Sequence, residues 1–545
     1  MNELFNSIWR DQFLRSKIRN QRFNHRTIGV SLSYLERNSK YLALLDTKTH
    51  DIYIQFSTET ELSKYLAHPL NAMFNSVRLQ LKSTECLEGV KFPSSVRQFS
   101  ITFLSGQLDL AMLSLCTNIT DLTMCFRNVS TTYRGDLPAG LKRLDIKGVE
   151  SEQHKPEIGP LPESLTSLTV SNYKLCLPES LPPSLTLLKL SWEIIEDASQ
   201  KIIVPASLTD LNVQEEEMYI IKNRFTVPKG KLFSSARVKL LTEEDVEQLN
   251  QCPWVTNVTI YNNSLLKLLP STIKSIYFFG GQDKDAGFTA GSLPPLLHRL
   301  SANQVDYPIV QGFLPSTENT LTILELPQYN HVIPSGLLPA SLTKLDISSY
   351  NHPITQVGVI PSNIKYLSIK DVAKISANVL PSSIIELNIY PDKLMISNNV
   401  LPHSLLTFRA YFKRISSKIL VFGQSVTLPK SIINLSLFSD SDSKSQSIKS
   451  NLIPPNVRNL ELSNIIIKKG MIPPSCFYLS TNYHPIKEGL IPKNVKQLFI
   501  THYEKIDFIP PTVELLKLNN PLESYPFSDL TVKRNGVLYS SNKVK

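Results

Sequence analysis

His331 and His352 are the residues most able to do chemistry by type and spacing, lying 21 positions apart with His484 in a similar setting further on. Imidazoles stacked at a fixed interval can ligate a metal. Here no cysteine or carboxylate recurs with them, and each histidine follows a Tyr-Asn or Tyr pair whose residue types suit a turn. No metal is therefore expected. The six cysteines, Cys86, Cys116, Cys125, Cys176, Cys252 and Cys476, are widely separated and form no CxxC pair. This spacing argues against a zinc knuckle or disulfide framework, and reduced, mostly buried thiols are expected. The chain carries no HExxH, GxSxG, GxxxxGK[ST] or GxGxxG. The expectation is a protein that is not an enzyme and needs no cofactor.

With catalysis set aside, the elements that must position side chains come to the fore. The 545 residues are 42% apolar, which suits a folded chain and argues against a disordered one. The apolar residues never run together for the roughly 18 positions a membrane span needs. The first residues, MNELFNSIWRDQFLRSK, are broken by Arg10, Asp11 and Arg15 before a signal-peptide core could form. A cytoplasmic protein is expected. The net charge of +10 is spread along the sequence, apart from a basic excess among the first 26 residues. Glycine is scarce at 19 while proline is frequent at 36, an imbalance that flexible linkers and collagen do not produce.

The prolines belong to a repeat. LPAGLKRLDI from Leu137, LPESLTSLTV from Leu161, LPPSLTLLKL from Leu181 and VPASLTDLNV from Val204 share a pattern with LPASLTKLDI from Leu338, IPSNIKYLSI from Ile360 and LPSSIIELNI from Leu380. LPKSIINLSL from Leu428, IPPNVRNLEL from Ile453, IPKNVKQLFI from Ile491 and IPPTVELLKL from Ile509 continue it. From Pro339 to Pro510 the interval averages about 21 residues, a period that means stacked coils. In LPASLTKLDI, alternation turns Leu345 and Ile347 to one face of a short strand and Lys344 and Asp346 to the other. Such a strand needs a neighbour on each side, which parallel stacking provides. Proline leads into the strand, and the serine two residues on is expected to bond locally to its turn.

The upstream half of the coil also recurs, as Tyr329-Asn330-His331 with Ile333 and Gly336, and as Tyr350-Asn351-His352-Pro353-Ile354 with Gly358. The combined pattern, F/Y-N-x-P-I-x-x-G-x-L/I-P-x-S-L-x-x-L-x-L, resembles the FNIP repeat of the dictyostelid type, a leucine-rich-repeat relative. The resemblance runs from about residue 90 to residue 520. It implies a repeat solenoid of short parallel strands, mostly β with few helices, closed by an N-terminal helical cap.

Residues 1–75 are read as that helical cap region, because Leu4, Phe5, Ile8, Trp9, Phe13, Leu14 and Ile18 recur at helical spacing. Residues 76–520 are read as the solenoid, with an irregular insert at 214–252, and residues 521–545 as a C-terminal cap or tail. The insert contains Thr242 to Asp245, a capping-box pattern, and suits a coil with a helix on its far side. The outward strand positions form ladders of mixed charge, which argues against a nucleic-acid groove and for a protein partner. Tyr366, Arg409, Tyr478 and Phe499 are the expected anchors, with Lys344 and Asp346 beside them. The function expected is a protein–protein interaction scaffold. The alternative is a substrate-recognition adaptor of a ubiquitin ligase, recruiting ligase components through a degenerate F-box-like helix in residues 1–75.

Overall fold

A computed structural model of the chain describes residues 27–42, 51–81, 90–104, 107–109, 116–127, 132–134, 136–148, 160–171, 177–190, 201–279, 288–303, 307–315, 320–370, 374–390, 399–413, 427–440, 446–448, 451–482, 487–501, 510, 512–513 and 515–519. Two compact units result, one ending at Thr259 and the other beginning at Ile260. Each is a parallel β-solenoid in which each coil contributes a short strand to one long sheet, and some coils add a second strand to a small two-stranded sheet.

In the first unit, Thr27–Val30 pairs with Asp51–Phe56, which pairs with Ser76–Leu81 and then Gln98–Phe103, all parallel. The ladder continues through Asp121–Phe126, Arg143–Lys147, Ser167–Ser171, Leu187–Leu190, Asp210–Glu217 and Phe233–Leu240. The segment read as a helical cap thus takes in two strands of the sheet as well as the helices Leu32–Leu42 and Glu59–Ala67. DIYIQF makes this intelligible, since Ile52, Ile54 and Phe56 alternate inward as the leucines of later coils do. The expected helix over residues 4–18, the cysteines Cys86 and Cys176, His484 and the tail at 521–545 lie outside the described residues.

At the irregular stretch, Asp210–Glu217 leads into a helix, Met218–Arg224, and Phe233–Leu240 then rejoins the sheet in parallel. The next helix, Glu243–Leu249, is closed by the expected capping box: Thr242 Oγ1 accepts from the Asp245 amide at 3.2 Å, and Asp245 Oδ2 accepts from the Thr242 amide at 2.9 Å. Val246 and Leu249 are buried, so this helix packs by its apolar side. Among the described residues, no helix is long and apolar enough to cross a membrane.

In the second unit the strands run in parallel from Ser275–Phe279 to Leu515–Asn519. Leu345, Leu367, Leu387, Phe408, Leu435, Leu460, Leu479 and Leu498 occupy one register row, each buried. Burying that row is the main stabilising term, at roughly 25 cal/mol per Å² of apolar surface removed from water.

The turn before each strand is built as Pro-x-Ser-Leu. The proline carbonyl accepts from the amide three residues on, as in Leu342 N–H to Pro339 O at 3.2 Å and Leu405 N–H to Pro402 O at 3.2 Å. The serine does not bond inside its own turn as the sequence suggested. Ser341 Oγ donates to the Leu321 carbonyl at 2.7 Å, Ser383 to Ile364, Ser404 to Ile384 and Ser431 to Leu405, each a carbonyl of the coil before. The turn already supplies its own backbone bond, so the hydroxyl is left to satisfy a neighbour's carbonyl. Where asparagine replaces serine it does the same work on a carbonyl two residues earlier, as from Asn363 to the Ala340 carbonyl at 2.9 Å.

Three residues before the proline, the backbone is left-handed. Gly336 and Gly358 have φ of 82° and 89° there, and Asn378 and Asn399 take the same position with φ of 59° and 65°. Glycine and asparagine are the residues that adopt this conformation at least cost.

Candidate functional site

On the open face of the second unit's sheet, side chains stand in rows set by strand register. Lys344, Tyr366, Glu386, Thr407, Asn434, Asn459, Tyr478 and Gln497 share the first row. Asp346, Ser368, Asn388, Arg409, Ser436, Glu461, Ser480 and Phe499 share the second. All six expected interaction residues therefore occupy two adjacent rows. Lys344 stands beside Tyr366 in register, while Tyr478 and Phe499 lie on adjacent strands further along.

Their freedom differs. Tyr366 is 43% exposed. Lys344 Nζ donates to Glu325 Oε1 at 2.7 Å, and Arg299 Nη2 donates to Glu325 Oε2 at 2.7 Å, so one carboxylate ties three coils together. Desolvation raises the Glu325 pKa, but the bonds from Lys344 and Arg299 outweigh it and the net shift is down. Arg409 is held by Glu386 and by Asn388 Oδ1 at 3.3 Å, and Asp346 accepts from the Ser348 hydroxyl. Burial raises the Tyr478 pKa, with Ser480 opposing and the nearby Glu461 charge adding to it.

A third row was not anticipated. Tyr390, Tyr411 and Phe438 stack face to face, with ring centroids 4.6 and 4.4 Å apart and planes tilted by 11° and 7°. The signal lay in extending the alternation one residue past each repeat, as ELNIY, TFRAY and NLSLF. The first row also carries an amide relay, with Asn459 Nδ2 donating to Asn434 Oδ1 at 2.7 Å and Asn434 Nδ2 to Thr407 Oγ1 at 3.0 Å.

His352 Nε2 lies 2.9 Å from the Asn330 carbonyl, and the ring packs near Tyr350 at 5.4 Å. The histidine is thus part of the stacking between coils. Tyr350 itself reaches across the interior, its hydroxyl 3.5 Å from the Ile333 amide that donates to it. Among the described residues, no group of three or more His, Cys, Asp or Glu is placed to hold a metal ion.

In the first unit the open face forms a polar hollow of about 520 Å³, lined in part by Gln55, Arg78, Ser100, Asp121, Arg143 and Asp145. Arg143 Nε stands 3.6 Å from Asp121 Oδ1, and the Arg78 guanidinium lies 3.8 Å over the Tyr53 ring. Charges of both signs again alternate across it.

This fold and these faces define a leucine-rich-repeat-like solenoid. The FNIP Repeat family model matches residues 329–371, the span of the coils beginning at Tyr329 and Tyr350. Among solved structures, YopM from Yersinia enterocolitica is similar at 16% identity and a TM-score of 0.28, covering 82% of this chain and 85% of that one. No curated protein matches the chain.

Proposed function

We propose that the chain is a non-enzymatic scaffold that binds a protein partner through the open face of its second unit. One observation carries the reading: consecutive coils hold aromatic, charged and amide side chains in fixed rows on that face, with Tyr366 standing 43% exposed among them. Fixed rows lower the ordering cost of binding, and aromatics and arginine are the side chains that anchor interfaces. Tyr366, Arg409, Tyr478 and Phe499 are assigned as anchors, with Lys344 and Asp346 at one flank.

The test is photo-crosslinking with p-benzoylphenylalanine in place of Tyr366 or Phe499 of the full chain, using exposed Glu247 as the control position. Discrete protein adducts from the two row positions and not from the control are expected. Equal adducts from all three positions would refute the assignment. The ligase-adaptor alternative depends on a helix in residues outside the described set. Recovery of ubiquitin-ligase subunits that disappears when Leu4, Ile8 and Phe13 are changed to serine would favour it.

A further inference from the structure

The aromatic stack ends abruptly. Strand register puts Tyr411 beside Phe438 and then Ser463 beside Phe438, so the planar row stops at a side chain too small to cover the next ring. Two residues before Ser463, on the same face of the same strand, stands Glu461. Its Oε2 accepts from Ser436 Oγ at 2.9 Å, and among the described residues no cation pairs with it. Glu325 and Glu386 differ, being bound by Lys344 with Arg299 and by Arg409 respectively, while Asp346, at the other end of the same row as Glu461, accepts from the Ser348 hydroxyl and has no aromatic stack beside it among the described residues. Residues two apart on a strand lie roughly 7 Å from each other, about the reach from one end of an extended guanidinium-bearing side chain to an aromatic face beside it.

We propose that Phe438, Ser463 and Glu461 form a docking site for an arginine side chain of the protein partner. The guanidinium lies flat over Phe438 as the next plane of the stack, in the space above Ser463, and its N–H groups donate to the Glu461 carboxylate. Planarity and delocalised charge favour arginine over lysine here, since a compact ammonium cannot extend the stack and bond the carboxylate in a fork at once.

The surroundings indicate that the arginine belongs to a protein. At the position just before each strand, earlier coils carry threonines that bond to the preceding coil, as from Thr343 Oγ1 to the Thr322 carbonyl at 3.2 Å. In the coils of the stack the same position holds Leu406 and Ile433, 40% and 37% exposed. An apolar strip on one side of the rows and a carboxylate beside an aromatic plane on the other suit a peptide of mixed character. The unpaired negative charge of Glu461 repels a phosphate backbone.

This inference rests on the scaffold reading, and one selection separates the two. A phage-displayed random decapeptide library is selected on the immobilised full-length protein. The enriched peptides are then measured against wild type, Glu461→Gln, Phe438→Ala and Tyr366→Ala. Glu461→Gln keeps an oxygen for Ser436, and circular dichroism confirms that each variant is folded. Enrichment of an arginine position is expected, with binding lowered about tenfold by Glu461→Gln and by Phe438→Ala. Replacing that arginine by lysine should weaken binding in wild type, and less so in Glu461→Gln, where the stack on Phe438 remains but the fork to the carboxylate is gone. Arginine-free peptides that lose affinity only with Tyr366→Ala would leave the scaffold reading standing and overturn the arginine site. Peptides indifferent to all three substitutions, or no enrichment at all, would overturn both.

Discussion

The Glu325 carboxylate shows how a single side chain joins coils that are distant in sequence. Its side chain is 14% exposed and is shared by Arg299 and Lys344. Because the folded pKa lies below the ordinary 4.5, its contribution is present above that value and is lost as the pH falls through the lowered one. Glu325→Gln should cost about 1 kcal/mol at pH 7, a modest figure because both cations are partly solvated. The difference from wild type in urea unfolding should shrink as the pH drops below 4.5. A second residue-scale expectation concerns the thiols. Burial pushes Cys476 up to about 12 and Cys252 to about 11, so neither should react with a disulfide reagent at pH 8 until the chain is unfolded. Thiol titration with and without denaturant checks this.

Among the elements, the coil-forming turn makes the sharpest demand on sequence. Gly336 and Gly358 share a left-handed φ, but an added Cβ meets nothing within 4 Å at Gly336, whereas at Gly358 it would come 2.5 Å from Ser335 Oγ. Gly336→Ala should therefore cost about 1–2 kcal/mol of conformational energy alone. Gly358→Ala should cost more, and adding Ser335→Ala should recover only that extra part. A double-mutant cycle in urea unfolding decides it. This level was also the most legible in the sequence. Leu345 and Ile347 announced the strand by alternation, Pro339 the turn and Gly336 the special backbone, because each is a local constraint repeated coil after coil. What escaped was the link between coils. Nothing local distinguishes a serine that bonds its own turn from Ser341, which bonds the Leu321 carbonyl, and the Tyr390–Tyr411–Phe438 stack exists only once three strands are set in register. In residues 1–75 the helical spacing lies in residues outside the described ones, while the alternation in Asp51–Phe56 makes a strand.

At the scale of the whole molecule, each coil packs chiefly on its two neighbours, so stability is a sum of coil and interface contributions. Leu387 is fully buried in the row of the second unit. Leu387→Ala should cost about 2–5 kcal/mol. Hydrogen exchange should show protection lost first in the strands Tyr366–Lys370 and Thr407–Lys413, which flank it, and last in strands several coils away. Uniform loss across the unit would mean that its coils unfold as one.

The serine and asparagine donors before the strands all point the same way. Ser164 reaches back to Leu141, Ser207 to Leu185, Ser341 to Leu321, Ser431 to Leu405, Asn456 to Lys430 and Asn494 to Pro474. A chain leaves the ribosome from its N-terminus, and domains form in that order. A coil that carries such a serine or asparagine therefore finds its side-chain acceptor already made and waiting on the coil before it, so these links can be closed one by one during synthesis, without waiting for residues still to be translated.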